Sequence, residues 1–175
     1  MTKRISIIAA MLTVLFCTSF VFFYNRAQQK AQEPALKVPA QKPLPETHLV
    51  DSTDATFDDN SLRHGKVVLV FVTPDCSACA KEAQFLKTAV GKRNDITFYG
   101  VIPYGDKKSS LEAAAGKFPF KVFFDEDFRL TGKLGINRVP IKIFLEDGVI
   151  KKVWDGATIK EQAQESFNQW LATVE

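Results

Sequence analysis

Residues 66–79 read Lys-Val-Val-Leu-Val-Phe-Val-Thr-Pro-Asp-Cys-Ser-Ala-Cys, and this stretch decides the fold. Residues 66–72 are a continuous apolar run rich in β-branched side chains, which is typical of a central strand covered on both faces. Thr73-Pro74-Asp75 ends the run. From Cys76 to about Ala89 the apolar residues recur at helical spacing, and Gly91 is placed to end a helix. The stretch therefore predicts a strand, a turn and a helix that begins at a Cys-x-x-Cys pair.

A Cys-x-x-Cys pair at the start of a helix has a specific chemical use. The first backbone N–H groups of a helix are unpaired and the helix dipole is positive there, so a thiolate at Cys76 is stabilised. Cys79 lies one turn further on, close enough to close a short disulfide. We predict that Cys76 is the exposed attacking thiol and that Cys79 is the buried resolving thiol.

The rest of the domain alternates strand and helix patterns. Asp147-Gly148 lies between two apolar runs and supplies the positive φ angles of a hairpin turn. Thr158, with Glu161 three residues on, is expected to cap the last helix, and residues 51–64 are expected to contain a short edge strand. The further predicted strands are 96–102, 120–124, 141–145 and 149–154, and the further helices are 107–115, 130–134 and 159–174. This order predicts an α/β domain in which helices flank a mixed β-sheet.

Several of these features resemble those of a known family. They are residues 62–71, Cys76-Ser-Ala-Cys79 with Glu82 behind it, Phe124-Asp125, Gly135-Ile136, Val139-Pro140 and residues 144–148. With these features, residues 48–175 resemble the TlpA/ResA-type branch of the thioredoxin-like superfamily, whose pattern overlaps with that of the peroxiredoxins. Members of this branch are typically membrane-tethered thiol–disulfide oxidoreductases that face an oxidising compartment and reduce disulfides in selected partners. Apocytochrome c and copper-site assembly proteins are examples of such partners.

The resemblance also implies a role for Val139-Pro140. A proline at the mouth of a central strand removes a ladder donor and needs an explanation. In thioredoxin-like folds this proline is cis and lies beside the dithiol, and the residue before it offers backbone hydrogen bonds to an extended substrate. An ordinary trans proline that starts a strand is the alternative. With the upstream Cys-x-x-Cys, we expect a cis bond and a substrate-binding role for Val139 and Pro140.

Two residues near the dithiol are candidates for tuning its reactivity. Asp75 stands where the family commonly has Trp. As an N-cap it would accept hydrogen bonds from the first amides of the helix, and its charge would disfavour a thiolate at Cys76, which leans the pair toward a reductant. A simple helix cap is an equally good interpretation. Glu82 is either a solvent-facing charge or a proton relay to Cys79.

Other charged residues have plain interpretations. Lys66 and Lys142 are expected to be ordinary strand-end charges. Asp125 has two equally good interpretations: a residue of a turn, or an acid that assists the resolving thiol. The sequence does not single out the acid that assists Cys79.

The N-terminus predicts a membrane anchor. Residues 5–24 carry no charge and are long enough to span about 30 Å of hydrocarbon as a helix. Lys3 and Arg4 precede them, which favours a cytoplasmic segment 1–4 and a domain on the extracytoplasmic, periplasmic side. A cleaved signal peptide is the alternative, but its apolar region would be shorter and would end in small residues. Residues 25–47, rich in Pro, Gln and Lys, are expected to form a linker to a domain at 48–175.

Composition limits the partners. Residues 1–45 hold six Lys or Arg against one Glu, a net of +5, while the whole chain carries +3. The positive charge therefore belongs to the membrane-proximal part, and nothing in the pattern predicts nucleic-acid binding. Three cysteines and two histidines do not form a usual zinc pattern, so we expect no metal and no cofactor. The expected partners are protein disulfides, the membrane and a membrane-embedded electron donor.

Two alternatives to a thiol–disulfide oxidoreductase remain. In a peroxiredoxin-like peroxidase a threonine stands three residues before the reactive cysteine, as Thr73 does, but Leu69 replaces the expected proline. A thioredoxin-fold metal chaperone would use Cys-x-x-x-Cys and a later histidine. Both histidines here, His48 and His64, precede the pair.

Overall fold

The computed structural model describes Ser19 and residues 38–174. Apart from Ser19, the predicted anchor at 5–24 falls outside these residues, as does most of the predicted linker. Within the described part, no helix combines the length and the apolar character that crossing a membrane requires.

The described chain forms one six-stranded sheet and five α-helices. The strands are β1 (Leu49–Val50), β2 (Lys66–Phe71), β3 (Ile96–Ile102), β4 (Lys121–Asp125), β5 (Ile141–Glu146) and β6 (Val149–Asp155). The helices are α1 (Asn60–Arg63), α2 (Ser77–Leu86), α3 (Lys107–Ala114), α4 (Arg129–Leu134) and α5 (Glu161–Thr173), and a 3-10 turn covers Glu126–Phe128.

The sheet is mixed, with strand order β1-β4-β3-β2-β5-β6. β2 pairs in parallel with β3 and antiparallel with β5, so that Val68 lies opposite Phe98 on one side and Phe144 on the other. The hairpin between β5 and β6 turns at Asp147 and Gly148, both at positive φ (49° and 74°), as the sequence predicts. The predicted thioredoxin-like mixed sheet with flanking helices is confirmed.

Each face of the sheet has its own apolar core. On one face, Val68 and Val70 of β2 pack in a cluster with Leu86 of α2 and with Phe167 and Leu171 of α5. The cluster of the opposite face joins alternate β2 residues to Leu62 and to the α4 side chains; it includes Val67, Leu69, Phe71, Leu130 and Leu134. All β2 residues after Lys66 are buried, because both faces are covered.

The folded unit includes residues that the sequence assigns to the linker. Leu44 is buried in the core, and Leu44 N–H donates to Gly148 O at 2.7 Å. Gln41 N–H donates to Ile150 O at 2.7 Å, and Ile150 N–H donates to Lys42 O at 2.9 Å. The segment 41–44 therefore lies along the first part of β6 and covers that stretch of the sheet edge.

Some local expectations were wrong. Thr158 does not cap the last helix: α5 begins at Glu161, and its N-cap residue is Lys160. Thr158 is buried and is engaged by Glu82 instead. The edge strand β1 precedes residues 51–64, with an isolated bridge between Val50 and Thr56, and the short helix α1 was not predicted.

Candidate active site

The dithiol lies where β2 runs into α2. Cys76 is the N-cap of α2, with an extended backbone (φ −87°, ψ 112°), and its Sγ accepts the N–H of Cys79 at 3.0 Å. The two cysteines form a disulfide with a Cα–Cα distance of 5.1 Å. Cys79 is fully buried, whereas Cys76 is partly exposed. An incoming sulfur therefore reaches Cys76 and not Cys79, which is the arrangement that the predicted attacking and resolving roles require.

Asp75 does not take the capping position expected for it. The cap of α2 is Cys76 itself, and the exposed Asp75 stands one residue before it. The expectation that Asp75 accepts the first helical amides was wrong, because the chain enters the helix one residue later. The effect of its charge on Cys76 stays a prediction. A positive group also approaches this turn, since Lys117 Nζ donates to Pro74 O at 3.4 Å.

The Val139-Pro140 peptide bond is cis, as predicted. Cys76 and Val139 both pack against the apolar cluster that contains Cys79. Pro140 is buried, and its carbonyl accepts the N–H of Gly156 at 3.0 Å. We call Val139 and Pro140 the ledge.

An ion pair borders the ledge. Arg138 Nε donates to Asp155 Oδ1 at 2.9 Å, and Arg138 Nη2 binds the second carboxylate oxygen. These hydrogen bonds hold the pKa of Asp155 below its usual value. The pair connects the residue before the ledge to the end of β6.

Glu82 and Lys142 are placed differently from the simplest expectations. Both side chains are 0% exposed, and Lys142 Nζ lies 2.8 Å from Glu82 Oε1. The solvent-facing interpretation of Glu82 and the strand-end interpretation of Lys142 were therefore wrong. Burial lowers the pKa of Lys142, and the attraction of Glu82 opposes that shift. The contacts with Lys142 and Thr158 explain why Glu82 is buried. Its role as a proton relay to Cys79 stays a prediction.

Lys66 and Asp125 have structural roles. Lys66, at the start of β2, pairs with Asp95 at 3.1 Å, as a strand-end charge would. Asp125 is buried and accepts the backbone N–H groups of Leu130 at 3.1 Å and Thr131 at 2.7 Å. It thus binds the amides at the start of α4, which explains it as a turn residue.

Sequence reasoning missed the residues that surround Glu82. They are Lys142 and Thr158; Gly156 O in turn accepts from Lys142 Nζ. A signal for Glu82 was present, because it follows the buried Cys79 by three residues and positions three apart share a helix face. Lys142 interrupts a run of buried strand residues, which is a second signal. No residue set among positions 38–174 brings together three or more His, Cys, Asp or Glu side chains that could hold a metal ion.

The fold and the dithiol together define a protein of the thioredoxin-like class. Residues 39–170 match the model of the Redoxin family, and the chain belongs to that family. With the Cys76–Cys79 pair at the expected position, it is a thiol–disulfide oxidoreductase of the thioredoxin fold. No curated protein matches the sequence significantly.

Solved structures of similar fold come from several bacteria. Mycobacterium tuberculosis dsbF, in mixed oxidised and reduced forms, is 23% identical with a TM-score of 0.62, over 79% of this chain and 99% of that chain. A secreted M. tuberculosis disulfide oxidoreductase homologous to E. coli DsbE is 22% identical, with a TM-score of 0.62, over 75% and 97%. The thioredoxin domain of a Bacteroides vulgatus thiol-disulfide oxidoreductase is 16% identical, with a TM-score of 0.61, over 76% and 98%.

Proposed function

We propose that this protein is a membrane-tethered reductant of specific protein disulfides that acts outside the cytoplasm. The observation that carries the proposal is the partly exposed Cys76, bonded to the buried Cys79 and placed with the cis Val139-Pro140 ledge on one apolar cluster. This arrangement suits a dithiol that meets an extended polypeptide, because the TlpA/ResA-type resemblance implies that the ledge offers backbone hydrogen bonds to such a substrate.

The reaction is two successive thiol–disulfide exchanges. The Cys76 thiolate attacks one sulfur of the substrate disulfide, which forms a mixed disulfide and releases one substrate thiolate. The Cys79 thiolate then attacks Cys76 Sγ, which forms the Cys76–Cys79 bond and releases the second substrate thiolate. The enzyme loses two electrons and the substrate gains them. The Cys76–Cys79 disulfide of the structure corresponds to the oxidised form in which this sequence would end.

The place of action is inferred from the N-terminal sequence. The uncharged segment 5–24 preceded by Lys3 and Arg4 supports an anchor with the domain on the periplasmic side. A reductant in an oxidising compartment needs a supply of electrons, so a membrane-embedded dithiol donor is the expected partner. Proteins of cytochrome c or copper-site assembly are the candidate substrates, in line with the TlpA/ResA-type resemblance.

The roles of the two cysteines are tested on the full chain in detergent. We expect wild type to reduce insulin disulfides in the presence of dithiothreitol. Cys76→Ser abolishes the rate above that of dithiothreitol alone. Cys79→Ser, once reduced and freed of dithiothreitol, accumulates a mixed disulfide with the substrate because no resolving thiol remains. Cys17→Ser is the matched control and retains the wild-type rate. Continued insulin reduction by Cys76→Ser would refute the assignment of the nucleophile.

The reduction potential of the pair then decides between reductant and oxidant. A value near about −270 mV, as in thioredoxin, is expected, whereas a value near about −120 mV indicates an oxidant. Peroxide consumption by the same protein addresses the peroxidase alternative raised by Thr73. A rate with peroxide that exceeds the rate with insulin would replace the proposed function.

A further inference from the structure

A buried polar bridge lies behind the dithiol. Glu82 belongs to α2, one turn after Cys79, and Lys142 belongs to β5, two residues after Pro140. The two charged side chains meet at 2.8 Å with no exposure to solvent. They therefore join the helix that begins at the dithiol to the strand that begins at the ledge.

Lys142 makes a second contact that leads directly to the ledge. Its Nζ donates to Gly156 O at 3.2 Å, and the N–H of the same Gly156 donates to Pro140 O at 3.0 Å. A continuous path of polar contacts thus runs from Glu82 through Lys142 and Gly156 to Pro140. The Lys142 side chain thus contacts both the helix that carries the dithiol and the residue that binds the ledge.

The helix end of this bridge is fixed as well. Glu82 Oε1 accepts the hydroxyl of Thr158 at 3.0 Å, and Oε2 accepts the N–H of Thr158. Both carboxylate oxygens are therefore occupied, and the carboxylate has little freedom to rotate. Lys142 meets a partner whose position is already determined by the chain between β6 and α5.

Stability alone does not explain this pair. Lys142 lies opposite Val70 in the β2–β5 register, and Phe144, two residues along β5, faces the same apolar cluster as Val70. Apolar residues at such positions commonly stabilise a protein as well as a buried ion pair does, or better, because desolvation offsets the attraction between the charges. A geometric role for the charge pair in this location accounts for what stability does not.

We infer that Lys142 is a positioning residue for protein substrates, which fixes the Cys76 helix and the Val139-Pro140 ledge relative to each other through Glu82 and Gly156. The inference rests on the proposed reduction of protein disulfides. A polypeptide that binds the ledge presents its disulfide at a fixed distance from Cys76, so the spacing of the two elements sets the rate. A small disulfide that approaches Cys76 without touching the ledge does not depend on that spacing.

The test compares a protein disulfide with a small one. The full chain in detergent is reduced, freed of reductant and mixed with insulin or with the small aromatic disulfide DTNB in single-turnover reactions. For Lys142→Met we expect the ratio of the insulin rate to the DTNB rate to fall by about tenfold or more, since a misplacement near 1 Å can cost roughly 100-fold. Lys66→Met, which removes a lysine from the half-buried start of β2, leaves the ratio unchanged.

A second variant covers the case in which Lys142→Met fails to fold. Glu82→Gln combined with Lys142→Met removes both charges. The glutamine still provides one side-chain oxygen that can accept a hydrogen bond from Thr158. We expect the same fall in the rate ratio, although no unpaired charge remains. A merely structural role would lower the unfolding midpoint and both rates together, without a change in their ratio.

The outcomes separate the inference from the proposed function. Wild type that reacts with DTNB but not with insulin overturns the proposed function and, with it, the positioning role. Wild type that reduces insulin while the double variant retains the wild-type ratio overturns the inference alone. A selective fall in the insulin rate in the double variant supports the inference.

Discussion

Lys142 is a charged residue in a stretch of β5 whose other residues are buried and apolar. Its neighbours along β5, Ile141 and Ile143, are fully buried, and it is itself one of the largest fully buried side chains in the described chain. Burial favours the neutral amine, whereas Glu82 favours the ammonium, and Asp155 adds a weaker attraction. The balance lowers the pKa of Lys142 from its usual 10.5.

This shift predicts an unusual pH dependence of stability. In the unfolded chain Lys142 retains its proton up to about pH 10.4, whereas in the folded chain it releases the proton at lower pH. Between the two pKa values the unfolded state binds more protons, so the free energy of unfolding rises with pH. We expect wild type to gain stability relative to Lys142→Met as the pH rises from 7 toward about 10.4. Urea unfolding at stepped pH measures this difference.

The comparison with Lys142→Met removes the contribution of the groups that do not contact Lys142, because both proteins share them. Glu82 loses its partner in that variant, so the Glu82→Gln/Lys142→Met double variant, in which no buried charge is left unpaired, is compared with wild type in the same way. Lys66→Met is the control, and its stability should follow that of wild type across the same range. A difference between wild type and Lys142→Met that stays constant with pH, or that shrinks, would show that the pKa of Lys142 is not lowered.

At this scale the sequence predicted the residues whose chemistry is local. Cys76 and Cys79 are three apart on one helix, and Pro140 could be interpreted from its place before a strand together with the dithiol. The environment of Glu82 could not be predicted in the same way, because Lys142 and Thr158 come from distant parts of the chain. Asp75 was misplaced because a one-residue shift of the helix start made Cys76 the cap.

Among the elements, α5 depends most clearly on aromatic packing. Phe167 is fully buried, and its ring centroid lies 5.6 Å from that of Phe85, 5.1 Å from that of Trp154 and 5.2 Å from that of Trp170. These rings join α5 to α2 and to β6. The C-terminal helix is thus attached to the same face of the sheet as the dithiol helix.

We expect Phe167→Ala to destabilise the protein by about 3–5 kcal/mol, because it removes a buried ring and leaves a cavity that rigid neighbours cannot fill. Urea unfolding monitored by tryptophan fluorescence measures the loss, since Trp154 and Trp170 border the cavity. Ile159→Ala, at a side chain that is 51% exposed, is the control and should change stability by no more than about 0.5 kcal/mol. A loss below about 1 kcal/mol for Phe167→Ala would show that α5 repacks.

Element types were more predictable than element ends. The continuous apolar run of β2 and the Asp147-Gly148 turn are local signals, and both strands of the hairpin lie where they were expected. The start of α5 was misjudged because Thr158 matched a capping pattern, although its side chain binds Glu82 on another helix. A capping pattern of this kind contains no information about a distant partner.

At the scale of the whole molecule, the order of elements and the hairpin signal predicted the mixed sheet. They did not predict the residue at which the folded unit begins. The polar, proline-rich composition of residues 38–47 resembles a linker, and only Val38 and Leu44 are strongly apolar. The burial of Leu44 in the core depends on a pocket formed elsewhere in the chain, next to Leu62 and other residues of its cluster. The composition of the segment therefore could not reveal that it packs.

The packing of this segment predicts a difference between two truncated proteins. One begins at residue 38 and the other at residue 48. The shorter protein loses the burial of Leu44, which costs about 1.5–3 kcal/mol, and the hydrogen bonds that residues 41–44 make with β6. Urea unfolding should give it the lower midpoint. Equal midpoints would show that residues 38–47 contribute nothing to the fold.

The covered edge of β6 also bears on how copies of the domain behave beside one another. An uncovered outer strand offers free N–H and C=O groups to the same strand of another copy, and this pairing leads to edge-to-edge aggregation. Proteins tethered to one membrane, as proposed here, share a surface on which encounters are frequent. Residues 41–44 occupy part of β6 and shorten the stretch that a second copy could pair with. On the proposed membrane location, we expect residues 41–44 to reduce self-association between copies of the domain.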